Sequence, residues 1–282
     1  MGTARPDLAW GRATYIMGIV NVTPDSFSGD GCPEHAAAIA HGLAQARAGC
    51  HILDVGGEST RPGAAPVPAQ EEMRRVVPVI AALARKADVP ISVDTTKPEV
   101  AEAALDAGAC VINDVWGVRH ARELADLAAR RGAALVVMHN REAAPTVDAL
   151  GGMYPEVEYG DLIADVRAEL LAAAARAEAA GVPPQRIWVD PGVGFGKTPG
   201  QSLDILRHLA EFRGRYPLLV GPSRKSFIGR VTGRPAGERD PGTAAAVALA
   251  VGAGADIVRV HDVAAMAQGA TVAEAITRGW PR

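Results

Sequence analysis

ISVDTTKP, at residues 91–98, combines a short apolar run, a closing carboxylate and a proline that suits the first turn of a helix. The next segment repeats this arrangement, because VIND at residues 111–114 precedes a helix predicted over residues 121–131. Strands that alternate with helices in this way are typical of a parallel sheet covered by helices. The stretch from residue 91 to residue 131 therefore predicts an α/β fold.

The same strand and helix unit recurs on both sides of this stretch. The predicted strands are residues 15–20, 52–55, 91–94, 111–114, 135–138, 187–190, 218–220 and 257–260. The predicted helices cover residues 33–48, 69–87, 121–131, 160–180 and 201–211, and others begin near residues 98, 227 and 263. Eight units in a chain of 282 residues favour a single closed TIM (β/α)8 barrel over an open doubly wound sheet.

The connections between these units complete the predicted architecture. No linker, low-complexity segment or shift in composition marks a domain boundary, so residues 1–282 are predicted to form one domain with an N-terminal extension over residues 1–14. The loops after the first and second strands are extended and polar. About twenty residues follow the strand at 135–138, and that length is typical of a site loop rather than a domain junction.

Composition and charge exclude several classes of function. The net charge is -3 and the basic residues are spread along the chain, which indicates no nucleic-acid or membrane partner. The three cysteines are far apart and lack metal-ligand spacing, as expected for a reducing compartment and no zinc site. The most apolar run, residues 244–255, is interrupted by glycines and is too short to span a bilayer. We therefore expect a soluble cytoplasmic protein.

Polar side chains close most of the predicted strands. In a barrel of parallel strands these carboxyl ends surround one mouth, where the reactive site lies. The residues at these ends are Asn21, Asp54, Asp94, Asn113, Met138, Asp190, Ser223, Lys225, Arg259 and His261. Each aspartate or asparagine alone is explained as well by capping of the next helix. Caps on seven strands are a less economical explanation than one polar pocket.

The types of side chain at these ends narrow the chemistry. Carboxylates and amides suit a planar heterocycle with amidine-like N–H groups, because a carboxylate accepts two parallel hydrogen bonds from such an edge. Lys225, Arg259 and His261 supply cations from the last two strands, where barrels often bind phosphate. Arg61 in the second loop adds another if it reaches the pocket. The pattern predicts a heterocyclic substrate that carries a phosphorylated leaving group.

Two further patterns do not carry the function. GVGFGKT at residues 192–198 resembles a nucleotide P-loop, but Pro191 stands where that motif needs its first glycine. His51 and His139 lack a second histidine or cysteine at metal-ligand spacing, so both are interpreted as core or loop histidines. The P-loop and the metal-site interpretations are therefore rejected.

Seven short blocks together resemble the bacterial dihydropteroate synthase family. They are GIVNVTPDSFS at residues 18–28, DVGGESTRPG at 54–63, SVDT at 92–95, ND at 113–114, DPGVGFGK at 190–197, SRKS at 223–226 and RVHD at 259–262. The blocks follow the family's order, and the resemblance covers the chain from Tyr15 to Ile276. One departure is that Gly29 follows Ser28, so the loop carboxylate moves one position to Asp30 and is assigned no role.

The resemblance implies a TIM-barrel enzyme of folate biosynthesis. Such an enzyme joins p-aminobenzoate to 6-hydroxymethyl-7,8-dihydropterin pyrophosphate and releases pyrophosphate and 7,8-dihydropteroate. By the family pattern, the implied pterin-binding residues are Asp94, Asn113, Val115, Met138, Asp190, Gly221, Lys225 and Arg259. Arg259 is expected to stack on the pterin face and also to reach the anion.

The other implied sites surround the leaving group and the second substrate. The implied pyrophosphate-binding residues are Asn21, Arg61, Arg259 and His261, and Asn21 is also the implied ligand of Mg²⁺. The implied p-aminobenzoate-binding residues are Thr60, Pro62, Phe195 and Ser226. The implied catalytic residues are Arg61, Lys225, Arg259 and His261. Sulfonamides, as mimics of p-aminobenzoate, are implied inhibitors.

Two alternative functions and the oligomeric state stay open. A pterin-binding methyltransferase barrel, which presents a methyl-folate to a corrinoid partner, would share the carboxylates and the amide but would have little use for cations around a pyrophosphate. An inactive paralogue of the synthase would carry the same signatures. The resemblance implies a homodimer through outer helices. The alanine-rich helix at residues 243–251 is explained equally well by contact with a second copy and by burial behind the barrel.

Overall fold

The computed structural model describes residues 8–22, 33–59, 66–117, 121–141, 145–147, 153–155 and 157–280. Strands and helices alternate along these residues. In chain order they are β1 (Tyr15–Asn21), α1 (Pro33–Arg47), β2 (Ile52–Gly56), α2 (Ala69–Lys86), β3 (Ile91–Asp94), α3 (Pro98–Ala107), β4 (Val111–Asp114), α4 (Ala121–Arg131), β5 (Ala134–Met138), β6 (Pro145–Val147), β7 (Met153–Pro155), α5 (Leu162–Ala179), β8 (Ile187–Asp190), α6 (Pro199–Arg207), β9 (Leu219–Val220), α7 (Ser226–Thr232), α8 (Asp240–Gly252), β10 (Ile257–Val260) and α9 (Val263–Arg278).

Eight of these strands form one parallel sheet that closes on itself. The strand order is β8-β5-β4-β3-β2-β1-β10-β9, and every neighbouring pair is parallel. A parallel bridge between Val189 of β8 and Leu218, just before β9, joins the two outer strands. The predicted TIM (β/α)8 barrel is therefore confirmed.

The predicted strands agree with the observed barrel strands within one residue at each end. The long connection after β5 differs from the prediction, because β6 and β7 pair there as short antiparallel strands where a loop was predicted. The predicted helix at residues 201–211 also differs. Its first part is α6, which ends at Arg207, and residues 209–212 form a separate 3-10 turn.

Side chains inside the barrel alternate with side chains that face the helices. A buried inner cluster contains Met17, Ile52, Val111, Ala134, Val136, Trp188, Leu219 and Ile257, whereas their neighbours in sequence, such as Leu53 and Ile112, belong to the larger cluster under the helices. Successive residues of a strand point to opposite faces. The inward face therefore continues from Ile52 to Asp54 and from Ile257 to Arg259, which places polar side chains above an apolar layer.

The N-terminal end of the barrel is covered by the segment that precedes β1. Trp10 lies edge-on to Tyr15 and to Trp188, with ring centroids 5.8 and 5.5 Å apart. Leu8 packs against the same inner cluster. The polar strand ends therefore face the opposite end of the barrel. Within the described residues, no helix combines the length and the apolarity needed to cross a bilayer.

Candidate active site

Five polar side chains meet inside the mouth of the barrel. Asp54, Asp94, Asn113 and Asp190 occupy the carboxyl ends of β2, β3, β4 and β8, and each is less than a tenth exposed. Arg259 reaches the same volume from β10. The sequence grouped these residues as strand ends, and the structure brings them together in one pocket.

Arg259 is the centre of this polar cluster. Its Nε donates to Oδ2 of Asp54 and its Nη2 donates to Oδ2 of Asp94, both at 2.6 Å. Asn113 Nδ2 donates to the same Asp54 oxygen at 2.9 Å. Charge-assisted bonds of this kind hold the guanidinium and the two carboxylates in a defined geometry. The stacking role expected for Arg259 stays a prediction.

The two carboxylates bound to Arg259 each keep one oxygen available. The Oδ1 atoms of Asp54 and Asp94 are buried and accept no hydrogen bond from any described residue. Burial raises the pKa of Asp94 to about 7, because the Arg259 guanidinium only partly offsets the loss of water and the nearby acids Asp54, Glu72 and Asp114 oppose ionisation. The pocket thus offers acceptor atoms, and Asp94 can carry a proton near neutral pH.

A second pair of opposite charges lies between β8 and β9. Asp190 Oδ1 accepts the Gly192 N–H at 2.7 Å, and burial raises the pKa of Asp190 to about 6. Burial, together with the nearby Arg259, lowers the pKa of Lys225 to about 7, although Asp190 favours its charged form. The Lys225 Nζ lies 3.7 Å from the centroid of the Phe195 ring, a cation–π contact. Lys225 therefore joins the carboxylate cluster to the aromatic wall.

Two of the predicted anion-binding residues, Asn21 and His261, line a neighbouring cavity of about 350 Å³, whereas Arg259 lies in the carboxylate cluster. Asn21, Arg224 and His261 contribute to its wall, between the ends of β1 and β10 and helix α1. Ser223 Oγ lies 3.0 Å from His261 Nδ1 and accepts the His261 backbone N–H at 3.2 Å. Arg224 is held by two 2.8 Å bonds to Asp240. An anion in this cavity would meet His261, Arg224 and Asn21, and Asp262 belongs to the same wall.

The remaining predicted site residues fall into two groups. Val115 and Met138 are buried beside the ends of β4 and β5, Gly221 follows β9 next to Arg259, and Ser226 is the first residue of α7. These positions all face or border the mouth. Thr60, Arg61 and Pro62 lie outside the described residues, as does Asp30.

Asp54 has a larger part in the site than the sequence assigned to it. It was recognised as a strand end without a binding role, yet its Oδ2 holds both Arg259 and Asn113. The signal was present, because Asp54 follows the inward-facing Ile52 by two positions and therefore shares the inner face. Its long-range partners are separated by 59 and 205 positions, so no local pattern could reveal them.

The described residues offer a limited set of metal ligands. Nowhere in the described part of the chain do three His, Cys, Asp or Glu side chains group as a metal site. Asn21 does provide an amide oxygen in the wall of the anion cavity. Mg²⁺ is commonly bound through one or two protein oxygens together with substrate phosphates and water. The donor set therefore fits Mg²⁺ that arrives with a phosphorylated substrate.

The fold and this site define a class of enzyme. Residues 17–261 match the family described as pterin binding enzyme, and the chain belongs to that family. A dihydropteroate synthase from Synechocystis sp. is 47% identical over 272 residues, which cover 95% of this chain and 92% of the relative. The resemblance noted in the sequence blocks is thus confirmed along almost the whole chain.

Two solved structures are similar in both sequence and fold. One is a dihydropteroate synthase from Xanthomonas albilineans with 4-aminobenzoic acid, at 43% identity and a TM-score of 0.87, covering 96% of this chain and 95% of that one. The other is a dihydropteroate synthase from the same organism in complex with 7,8-dihydropteroate, at 40% identity and a TM-score of 0.84, covering 97% of each chain.

Proposed function

We propose that this chain is a dihydropteroate synthase, which condenses 6-hydroxymethyl-7,8-dihydropterin pyrophosphate with p-aminobenzoate to give 7,8-dihydropteroate and pyrophosphate. The observation that carries the proposal is the Arg259 cluster, in which buried carboxylate oxygens of Asp54 and Asp94 remain available for a ligand beside Lys225. A planar ring with several N–H groups fits that arrangement. Relatives that are similar over nearly the whole chain are named dihydropteroate synthase.

The pterin ring is placed in the carboxylate cluster. Asp94, Asn113 and Asp190 face its hydrogen-bonding edge, with Lys225 beside it. Val115, Met138 and Gly221 supply the apolar border of the same pocket. Asp54 keeps Arg259 and Asn113 in position, because both donate to its Oδ2. The ring thereby replaces water at polar groups that are already oriented.

The leaving group lies on the side of the last strands. When the methylene carbon–oxygen bond breaks, the electron pair goes to pyrophosphate, and the electron-rich pterin delocalises the positive charge left on carbon. Arg61, Lys225, Arg259 and His261 are the cations that stabilise this separation of charge. The amine lone pair of p-aminobenzoate then forms the carbon–nitrogen bond, and one N–H proton is released. A neutral aromatic amine needs orientation rather than a strong base.

Asn21 is the residue that would hold Mg²⁺, with the remaining positions taken by pyrophosphate oxygens and water. When bound, Mg²⁺ neutralises part of the charge that develops on the leaving group. The support for this assignment is the amide oxygen that Asn21 brings to the anion cavity beside His261.

The second substrate is placed between Phe195 and the start of α7. Phe195 supplies an aromatic surface, Ser226 lies at the N-terminus of α7, and Thr60 and Pro62 belong to the second loop. A helix N-terminus favours a carboxylate, which suits the acid group of p-aminobenzoate. A similar synthase was solved with 4-aminobenzoic acid, which supports p-aminobenzoate as the second substrate. Sulfonamides, which mimic that molecule, are expected to compete for the same site.

Pyrophosphate release tests the assignment. The purified chain is incubated with the pterin pyrophosphate, with and without p-aminobenzoate and Mg²⁺, and pyrophosphate and 7,8-dihydropteroate are measured. We expect equal amounts of both products, formed only when all components are present. An Asp190→Asn variant is the matched control for the role of the pocket. It keeps the size of the side chain and removes its charge. A folded protein that binds pterin and releases no pyrophosphate would contradict the synthase and favour the inactive paralogue.

A homodimer through the outer helices is the proposed assembly. Thr243, Ala246, Val247, Ala250 and Val251 of α8 are buried behind the barrel, which accounts for the small residues of that helix. Three large apolar side chains on α8 and α9 remain exposed: Leu249 at 72%, Val272 at 57% and Ile276 at 78%. Exposed apolar surface of this kind favours contact with a second copy.

Sedimentation equilibrium of the parent and of a Leu249→Glu variant tests this assembly. We expect a dimer for the parent and a weakened dimer for the variant, because a charge would enter the apolar contact. An Arg74→Glu variant changes charge on the exposed face of α2 and serves as the control. A monomeric parent would overturn the assembly.

A further inference from the structure

Lys197, the lysine of the rejected P-loop pattern, is buried inside its own loop. Its side chain is 1% exposed. Its Nζ lies 2.9 Å from His139 Nδ1 and donates to the carbonyl oxygens of Phe195 at 2.9 Å and of Gly192 at 3.1 Å. A P-loop directs backbone N–H groups and its lysine toward a phosphate. Here the polarity is reversed, because backbone carbonyls converge on the lysine.

The ammonium form of Lys197 satisfies all of its surrounding acceptors, although burial lowers the pKa of Lys197 to about 7. An ammonium group has three N–H donors, and the three closest acceptors are the two carbonyls and the imidazole nitrogen. His139 Nε2 lies 3.0 Å from Glu169 Oε2, which suits an imidazole with its proton on Nε2 and a free Nδ1. Burial, with Lys197 and Arg141 nearby, lowers the pKa of His139 to about 2, so its ring is neutral.

The loop backbone is shaped to make this possible. Gly192 has φ +68, and a Cβ there would lie 1.9 Å from the carbonyl oxygen of His139. Gly196 has φ +56, and a Cβ there would lie 2.6 Å from the carbonyl oxygen of Arg141. Only glycine accepts both the left-handed backbone and the close approach. The loop is thus pressed onto the segment after β5, with its carbonyls turned toward the lysine.

The same loop carries groups that border the pocket. The Gly192 N–H donates to Asp190, and the Gly192 carbonyl binds Lys197. The Phe195 carbonyl also binds Lys197, while the Phe195 ring faces the Lys225 ammonium. Thr198, the next residue, starts α6 with a complete capping box, so the far end of the loop is also held. Phe195 therefore lies on a loop that is held by Lys197 in its interior and by a helix cap at its end.

We propose that Lys197 is a positioning residue that places the Phe195 ring for p-aminobenzoate, acting through the carbonyls of Phe195 and Gly192 without touching either substrate. This inference rests on the proposed function, since it assumes that p-aminobenzoate enters beside Phe195. Asp190 belongs to strand β8 and is held by the ladder with β5. Loss of the lysine should therefore disturb the aromatic side of the pocket more than the pterin side.

The test uses Lys197→Ala in the full chain and separates the two substrates. Binding of the pterin, and binding of p-aminobenzoate in the presence of pterin and pyrophosphate, are measured by calorimetry. We expect the dissociation constant of p-aminobenzoate to rise roughly 10- to 100-fold, the range that a small misplacement can cause. The pterin constant should change little. Lys86→Ala, at an exposed position at the end of α2, is the matched control.

Chemical rescue shows whether the ammonium itself is needed. Propylammonium, added to Lys197→Ala, should restore much of the p-aminobenzoate affinity, because it supplies the three donors and the missing hydrocarbon. Tetramethylammonium carries the charge without N–H donors and should not rescue. Neither ion should improve the parent or the Lys86→Ala control. Recovery of the KM for p-aminobenzoate in the synthase assay provides a second readout.

Two outcomes would overturn the proposal. One is an equal loss of pterin and p-aminobenzoate affinity, which would mean that Lys197 supports the whole site. The other is unchanged affinity for both substrates. If Lys197→Ala does not fold, Lys197→Met retains the hydrocarbon chain and is expected to give the same split between the substrates. Binding is measured without turnover, so a parent that lacks synthase activity would count against the proposed function and not against this role.

Discussion

Lys197 and Lys225 follow neighbouring barrel strands, and burial lowers the pKa of each to about 7. Their surroundings are nevertheless opposite. Lys197 has an acceptor for each of its three donors. The Nζ of Lys225 makes no hydrogen bond to any residue that the structure describes, and it faces an aromatic ring. The hydrogen-bond donors of Lys197 are used within the protein, whereas those of Lys225 are available to a ligand.

The difference in hydrogen bonding between the two lysines separates groups that stabilise the fold from groups that are available for binding. Buried polar groups that are fully paired make a region rigid, whereas unpaired ones are costly to the folded state. Unpaired groups also cluster where ligands bind, because binding supplies the missing partners. The Oδ1 atoms of Asp54 and Asp94 belong with Lys225 in this second class. Substitutions at the two lysines should therefore affect stability and activity differently.

Lys225→Met should break function and leave the fold intact. We expect kcat/KM for the pterin substrate to fall roughly 10²- to 10³-fold, since a preorganised charge beside the reacting group is removed. The melting temperature should change little, because methionine keeps the hydrocarbon packing of Lys225 while Asp190 loses a nearby opposite charge. Pyrophosphate release and thermal unfolding give the two readouts. Near-parental activity would show that Lys225 has no part in the reaction.

Lys197→Met should destabilise the folded protein more than Lys225→Met does. The two carbonyls and the imidazole nitrogen would lose their donor, and the free energy of unfolding should fall by about 3 kcal/mol. Urea denaturation of this variant beside Lys225→Met provides the measurement. Equal stability of the two variants would remove the distinction between the two lysines.

Gly192→Ala tests how tightly the Lys197 loop is built. The added Cβ would meet the His139 carbonyl, so the left-handed strain and the steric clash together should lower stability by about 3 kcal/mol. Gly233→Ala is the control, because Gly233 has φ +70 with nothing within 4 Å of its Cβ position. That variant should lose only about 1 kcal/mol from backbone strain. Similar losses for both would argue against close contact between the loop and His139.

Asp114→Asn tests how a buried carboxyl group with one unpaired oxygen affects the pH dependence of stability. Asp114 Oδ1 accepts the Trp116 N–H and its Oδ2 has no partner among the described residues. Burial raises the pKa of Asp114 to about 7, although the Trp116 bond opposes the shift. The folded state therefore holds a proton that the unfolded state releases near pH 4. Parent stability should fall between pH 4 and pH 7 by about 1 kcal/mol per pH unit from this group.

In the Asp114→Asn variant this contribution to the slope is absent. The unfolding free energy of the variant relative to the parent should increase from pH 4 to pH 7 and stay constant above pH 7. Urea denaturation at several pH values measures the difference. The readout is the pH slope, so a constant cost of the new amide does not affect it. A pH-independent difference would show that Asp114 is ionised throughout this range.

Much of the architecture could be predicted because its signals are local. Apolar runs such as residues 91–94 and 111–114 fall within single strands, and the inward position of Asp94 follows from strand alternation. The pairing of residues 145–147 with residues 153–155 was missed, since these short strands carry no sustained alternation. Of the predicted pterin-binding residues, Arg259 contacts Asp94 directly and Asn113 through Asp54, while the roles assigned to all of them remain predictions.

Contacts between distant segments were beyond the sequence pattern. Lys197 was recognised only within a rejected P-loop pattern and within a family block, because its partner His139 lies 58 positions earlier. Asp54 was recognised as a strand end, but its bond to Arg259 spans 205 positions. Both bonds depend on the pairing order of the strands, because β5 pairs with β8 and both β2 and β10 pair with β1. A single sequence shows which residue closes each strand, but it does not show which strand ends lie next to each other.

Trp10 covers the N-terminal end of the barrel, and the inner apolar cluster fills the interior beneath the polar strand ends, so a ligand among those strand ends is reached from the carboxyl end of the barrel. A molecule that binds deep among the strand ends has one way in and the same way out. Under the proposed placement of the two substrates, a product held at the carboxylate cluster leaves through the same opening by which the next substrates enter.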